Sequence, residues 1–172
     1  MLKLIGAAMI LFSGAMIGYY QSLQLSSRPR QIRQFILALK RLETEISYGF
    51  SPLAEAFVNI SRIVPPPVSA LFEKLAEELN SGEEITVKEV WQRVFSAHWQ
   101  MTACKKNEKD IILLLGSSLG ISDREDQLRY LRLAIAQLQA EEENAIEEQK
   151  RYEKMWRSLG LLAGALIVIV MY

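Results

Sequence analysis

The sequence has too little cysteine and histidine for disulfide bonds or a structural zinc site. Cys104 and His98 are the only residues of their kinds among the 172. One cysteine cannot form an internal disulfide, and a structural zinc ion needs four ligands. The two residues also lack a third group that would orient a nucleophile and a base. We therefore expect both to have structural roles, with a reactive thiol as the alternative.

Glycine and proline are also scarce, and recognisable catalytic motifs are missing. The chain contains no phosphate-binding loop, no metal-ligand spacing and no nucleophile elbow. Its formal net charge is zero, from 20 basic and 20 acidic residues, so no overall field recruits nucleic acid. The sequence thus predicts a protein that is not an enzyme, with no catalytic residues, no cofactor, no metal ion and no nucleic-acid partner.

Apolar residues are abundant, by contrast, and the first long run of them lies at the N-terminus. Residues 2–20 carry Lys3 as their only charge, and about 20 apolar residues are needed to cross a bilayer as a helix. We predict a transmembrane helix at residues 1–22. The alternative is a cleaved signal peptide with its cleavage site at residues 13–15.

A second apolar run, residues 158–172, lies at the other end of the sequence. Trp156 and Arg157 precede it and suit a membrane interface. We predict a second transmembrane helix at residues 158–172. Within it, Gly160 and Gly164 are spaced as in membrane helices that pack closely, either with the first helix or with another copy.

Positive charge flanks both apolar runs on the side that faces the residues between them, which we call the central domain. This placement predicts the membrane topology. The basic flanks are Arg28, Arg30 and Arg33 after the first run, and Lys150, Arg151, Lys154 and Arg157 before the second. Because positive flanks stay in the cytoplasm, the central domain should be cytoplasmic and both termini should lie on the opposite side of the cell membrane.

The residues between the two runs show the periodicity of helices. Apolar residues recur at spacings of three and four, with no convincing alternation of the kind that strands have. Thr86 with Glu89, and Ser122 with Glu125, have the spacing of capping boxes. Breaks are expected at Gly49, Pro65-Pro66-Pro67, Gly82 and Gly120. We predict an all-α protein, with a cytoplasmic bundle of about six helices at residues 23–139.

The last helix of the bundle is predicted to continue towards the second membrane segment. Its apolar stripe fades near Ala140, where an acidic block begins. No glycine or proline interrupts the sequence before Gly160. We therefore predict an acidic helical neck at residues 140–157.

Two charged clusters are candidate binding sites for a partner or for lipid. Arg28, Arg30 and Arg33 could contact anionic headgroups as part of the topology signal, or could dock an acidic protein. The acidic block could contact a basic partner, and Glu141, Glu142 and Glu147 are its candidate residues. Binding of a divalent cation is the alternative, but these carboxylates spread around one helix.

Four stretches of the chain, in this order, resemble the stage III sporulation protein AB family of endospore-forming bacteria. The resemblance spans nearly the whole sequence. The stretches are residues 28–33, residues 45–49 leading to Pro52-Leu53, residues 119–121 before Asp123 and Gln127, and residues 153–160.

The resemblance implies a role that the residue patterns alone do not. The soluble part of the family is similar to the cytoplasmic helical domain of the inner-membrane platform protein of type II secretion and type IV pilus systems. Members belong to the apparatus that connects mother cell and forespore, and lie in the mother-cell-derived outer forespore membrane. The expected partners are the AA protein of the same operon, which is a secretion-type ATPase, and other channel membrane proteins.

The leading hypothesis is therefore a membrane-anchored platform that couples a cytoplasmic ATPase to a trans-envelope channel. A passive scaffold, or a helical protein that reads lipid or signals without ATPase coupling, is the alternative. Platform proteins carry a duplicated helical domain, whereas this sequence has no internal repeat. Whether a homo-oligomer replaces the second domain stays open at this point.

Overall fold

A computed structural model describes residues 26–48, 52–82, 85–120 and 123–171. Every regular element within these residues is helical, which confirms the predicted all-α helical bundle. The elements are α1 (Ser27–Tyr48), α2 (Leu53–Ser61), α3 (Val68–Leu79), α4 (Val87–His98), a short 3-10 helix (Trp99–Met101), α5 (Lys106–Gly116) and α6 (Arg124–Met171).

The chain divides into two compact units, and α6 contributes to both. The bundle is the unit Arg28–Glu143, and the part of α6 from Asn144 onwards belongs to the other. Among the described residues, no helix is both long enough and apolar enough to cross a membrane. The predicted membrane segment 1–22 lies outside the described residues, and the predicted segment 158–172 lies at the end of α6 without meeting this criterion. Both transmembrane helices and the domain boundaries stay predictions.

The core of the bundle is built around aromatic side chains from five elements, the four helices α1 to α4 and the 3-10 helix. Spacings of four place Trp91, Phe95 and Trp99 on one side of α4 and the 3-10 helix that follows it. The rings of Trp91 and Phe95 lie 4.7 Å apart between centroids. The remaining rings of the cluster are Phe35 of α1, Phe57 of α2 and Phe72 of α3. Apolar contacts within this cluster hold the four helices α1, α2, α3 and α4 together.

Trp91 also fixes α5 against α4. Its indole Nε1 donates a 2.8 Å hydrogen bond to the backbone oxygen of Ile112, so its one polar atom is satisfied inside the core. Gly116 packs so closely on the indole that a Cβ added at Gly116 would overlap the ring. A glycine is therefore required here because the two helices approach closely.

The predicted end of α5 at Gly120 is wrong, since the helix ends at Gly116. The hydroxyls of Ser117 and Ser118 donate to the backbone oxygens of Leu114 and Leu115, at 2.7 and 2.8 Å. Serine side chains that bond to nearby carbonyls compete with helical hydrogen bonds, and the chain tightens into turns. Gly120 follows with a φ of 78°, as expected of a residue that ends a segment.

The predicted capping box at the start of α4 is confirmed. The side-chain oxygen of Thr86 accepts from the backbone N–H of Glu89 at 3.3 Å, and the Thr86 N–H donates to the Glu89 carboxylate at 3.0 Å. The bond from the Thr86 N–H, together with a 3.0 Å bond that the Thr86 hydroxyl donates to the same carboxylate, holds the pKa of Glu89 below its usual value. Ser122 of the second predicted box lies outside the described residues.

Replacing Gly116 with alanine should lower the free energy of unfolding by about 1–3 kcal/mol, because the new methyl group must displace the Trp91 ring. Thermal unfolding of the detergent-solubilised chain, followed by circular dichroism, measures the effect. Asp110→Ala, at an exposed position of the same helix, is the control and should change much less. An unaltered unfolding temperature in Gly116→Ala would contradict the close contact.

Candidate functional site

Helices α1 and α6 run antiparallel within the bundle, as three ion pairs between them show. The start of α1 pairs with residues 141 and 142 of α6, whereas the end of α1 pairs with residue 132, which comes earlier in α6. The pairs are Arg28–Glu141 at 3.4 Å, Arg33–Glu142 at 2.6 Å and Arg132–Glu43 at 2.6 Å. The start of α1 therefore lies beside the last part of α6 that belongs to the bundle.

A buried ion pair fixes the first turn of α1. The Nε and Nη2 of Arg28 donate to Oε1 of Glu108 at 2.9 and 2.5 Å, and the Glu108 side chain is fully buried. Its other carboxylate oxygen accepts from the backbone N–H of Lys105 at 2.8 Å. Both oxygens of Glu108 are thus satisfied, as a buried charge requires.

The same arginine extends the contact to α6. Nη2 of Arg28 lies 3.4 Å from Oε2 of Glu141, while Nδ2 of Asn107 donates to Oε1 of that carboxylate at 3.3 Å. We call these four residues (Arg28, Asn107, Glu108 and Glu141) the polar junction. It connects the first turns of α1 and α5 to α6, and each helix supplies at least one side chain.

The loop before α5 is attached to α1 one turn further on. The backbone N–H of Ala103 donates to the side-chain oxygen of Gln31 at 2.6 Å. Together with the polar junction, this bond fixes how α1 is rotated about its axis. Arg28 must point inward, and the residues two, five and nine positions later then lie on the outer surface.

The structure brings together the two charged clusters that the sequence identified separately. Arg28 contacts Glu141, and Arg33 contacts Glu142. The Arg28 side chain is only 13% exposed, so its charge serves the fold. The Arg33 side chain remains 71% exposed despite its pair. The prediction that these residues bind a partner or lipid stays a prediction.

The remaining predicted site residues lie apart from the polar junction. Arg30 is exposed, and its side chain has no ion pair within the part of the chain that the structure describes. Glu147 is exposed in the second unit. Gly160 and Gly164 lie within α6 of that unit, which continues as a helix through both glycines. Their role in helix packing stays a prediction.

Sequence reasoning missed Glu108 and Asn107. The sequence did contain a signal that Glu108 is buried. Glu108 falls on the same side of the predicted helix as the apolar residues Ile112, Leu115 and Leu119, at spacings of four, three and four. A charged residue at such a position of an amphipathic helix is buried and needs a partner. The partner itself is 80 residues away, which no local pattern reveals.

Comparison with known proteins identifies the family. The family model for stage III sporulation protein AB matches residues 3–172. The chain belongs to this family. The stage III sporulation protein AB of Bacillus subtilis (strain 168) is 37% identical over 171 residues, which cover 99% of each chain. A solved structure of a stage III sporulation protein AB matches with a TM-score of 0.69 and 37% identity, over 73% of this chain and 98% of that one.

In this family member, Cys104 lies beside the polar junction and is buried. Burial, and then the negative charge of Glu108, raise the pKa of its thiol to about 12. The thiol is therefore protonated at neutral pH, and a protonated thiol is a poor nucleophile. His98, the other candidate for chemistry, has its Nδ1 3.2 Å from the backbone oxygen of Val94 in its own helix.

Removing one partner of the buried pair should destabilise the bundle strongly. We expect Arg28→Met to lower the free energy of unfolding by about 3 kcal/mol or more, because Glu108 is left as an unpaired buried charge. The double variant Arg28→Met/Glu108→Leu should recover a large part of that loss. Chemical denaturation of the four-member cycle measures the coupling, and additive losses would contradict a direct pair.

The Cys104 thiol should resist alkylation in the folded protein. At pH 8, iodoacetamide should label the denatured chain fully and the folded chain hardly at all, as measured by mass spectrometry. The raised pKa also predicts that stability falls as pH rises from 9.0 towards about 12, since the unfolded thiol ionises first. Cys104→Ser should make that fall smaller, and equal labelling of both states would contradict the burial.

Proposed function

We propose that this protein is a membrane-anchored platform component of a secretion-like sporulation channel between mother cell and forespore. In this role it couples a cytoplasmic ATPase, the AA protein of the same operon, to the trans-envelope complex. Membership of the stage III sporulation protein AB family supports the sporulation role. The proposed location is the outer forespore membrane, with the bundle in the cytoplasm and both termini across the membrane.

The observation that carries the proposal is the attachment of α1 to α6 at the polar junction. Arg28 is within 3.4 Å of Glu141, so the chain enters and leaves the bundle at the same end. Two anchors in one membrane would need that arrangement, because both segments must reach the same bilayer. The junction supports the predicted topology for this reason.

The continuity of α6 supports the coupling role. A single α-helix runs from Arg124 in the bundle to Met171, without a loop between the neck and the predicted membrane segment. Every turn of a helix is hydrogen-bonded to the next, so a displacement at one end is not absorbed as it would be by a flexible linker. The bundle would dock the ATPase, and α6 would carry its movement to the channel.

Direct binding to the ATPase tests the partner. We expect the full chain, in detergent or in nanodiscs, to bind the purified AA protein saturably and with an affinity that falls as salt rises. An unrelated membrane protein in the same detergent is the control. Absence of binding by the folded chain would contradict the coupling role and leave a scaffold whose partners lie elsewhere.

A change in the neck tests transmission separately from assembly. Replacing residues 144–151 with a Gly-rich segment of equal length should allow assembly of the channel complex and abolish spore formation, because the linker absorbs movement. An Ala-rich helical replacement of the same residues is the matched control and should preserve sporulation. Normal sporulation with the Gly-rich segment would favour the passive scaffold.

A further inference from the structure

The outer face of α1 carries four basic residues, Arg30, Arg33, Lys40 and Arg41, within the first two thirds of the helix. Every residue of α1 that is exposed lies on this face, and the spacings are three or four residues except between Lys40 and Arg41, which are adjacent. We call it the basic stripe, and its residues are Arg30, Arg33, Leu37, Lys40, Arg41, Thr44 and Tyr48. It starts where the predicted basic cluster lies but extends about 27 Å along the helix, far beyond that cluster.

No exposed acidic residue balances the charge of the basic stripe on α1 itself. The two glutamates of the helix are both tied into ion pairs, Glu43 with Arg132 and Glu45 with Arg41, and their side chains are 25% and 11% exposed. The stripe therefore presents donors of hydrogen bonds and positive charge, which carboxylates match. Its existing pairs with Glu142 and Glu45 show that its arginines can reach such groups.

The centre of the basic stripe is apolar. Leu37 is 46% exposed, and Arg33, Lys40 and Arg41 surround it in the helical register. Tyr48, which is 85% exposed, adds a second apolar surface at the far end. An apolar centre with a charged rim is the arrangement found in protein–protein interfaces.

We propose that the basic stripe is the surface on which the ATPase partner docks an acidic amphipathic helix that has an apolar residue at its centre. The inference rests on the function proposed above. A helix is the matching occupant because its side chains recur at the same spacing of three and four residues as those of the stripe. The charges around Leu37 would attract the partner helix and fix its alignment along α1. Leu37 would supply the buried apolar contact.

The packing of α1 favours a protein partner over a lipid surface. Helices that lie in a membrane interface insert an apolar face into it. The apolar face of α1 is occupied, since Ile32, Phe35, Leu39 and Leu42 are fully buried in the bundle. Only the stripe itself is available, and charged residues surround its single central leucine.

Charge reversal on the stripe tests the proposal. In nanodiscs of zwitterionic lipid, Arg30→Glu/Lys40→Glu should weaken binding of the purified ATPase about tenfold and reduce its salt dependence. Leu37→Ala should weaken binding by a smaller factor with the salt dependence unchanged. The neutral variant Arg30→Gln/Lys40→Gln should fall between the wild type and the reversed variant, which separates loss of attraction from new repulsion.

Matched controls use residues outside α1. Arg62→Glu/Arg129→Glu reverses two exposed arginines elsewhere, and Ile63→Ala truncates an apolar side chain that is 49% exposed, close to the exposure of Leu37. These variants should bind within about twofold of the wild type. Circular dichroism establishes that each variant is folded before its binding is measured.

The outcomes separate this inference from the proposed function. If the wild type binds and the stripe variants bind equally well, the ATPase docks elsewhere and the inference is overturned while the function stands. If the wild type does not bind at all, the proposed function fails and the inference fails with it. If the stripe variants bind the ATPase normally in zwitterionic nanodiscs and lose binding only in nanodiscs of anionic phosphatidylglycerol, the stripe binds lipid headgroups. The proposed helix is then not its ligand.

Discussion

The buried carboxylate of Glu108 determines much of how this bundle is assembled. A charge removed from water costs several kcal/mol unless a partner and hydrogen bonds compensate for it. Arg28 and the backbone of Lys105 provide both. Since a helix turns about 100° per residue, holding Arg28 inward places Arg30 and Arg33 on the surface. The outer face of α1 is thus a consequence of one ion pair at its first turn.

The ion pair and the aromatic core make different contributions to the structure. The rings around Trp91 and Phe95 bury a large apolar area, and area burial supplies most of the favourable energy of folding. A buried ion pair adds little net stability compared with apolar side chains of similar size. Arg28 and Glu108 instead select one position of α1 in the bundle, because a shift of α1 by one residue would leave a buried charge unpaired.

The helices could be predicted from the sequence because their signals are local. The capping box of Thr86 and Glu89, and the prolines at residues 65–67, act within a few residues of the backbone that they affect. The polar junction could not be predicted in this way. Arg28 lies 113 residues from Glu141, so their pairing depends on the order and direction in which the helices pack. Both charged clusters were recognisable, but the contacts between them were not.

The two ion pairs near the start of α1 differ in how easily they can be exchanged. Arg28 and Glu108 are almost inaccessible, so a partner could not take either without unfolding the junction. Arg33 is 71% exposed, and pairs of this kind contribute only about 0–1 kcal/mol. A carboxylate on a docked helix would therefore compete with Glu142 for Arg33 at small cost. Docking would then release one contact between α1 and α6 while the buried one holds, so a partner bound to the outer face of α1 could affect the helix that leads out of the bundle.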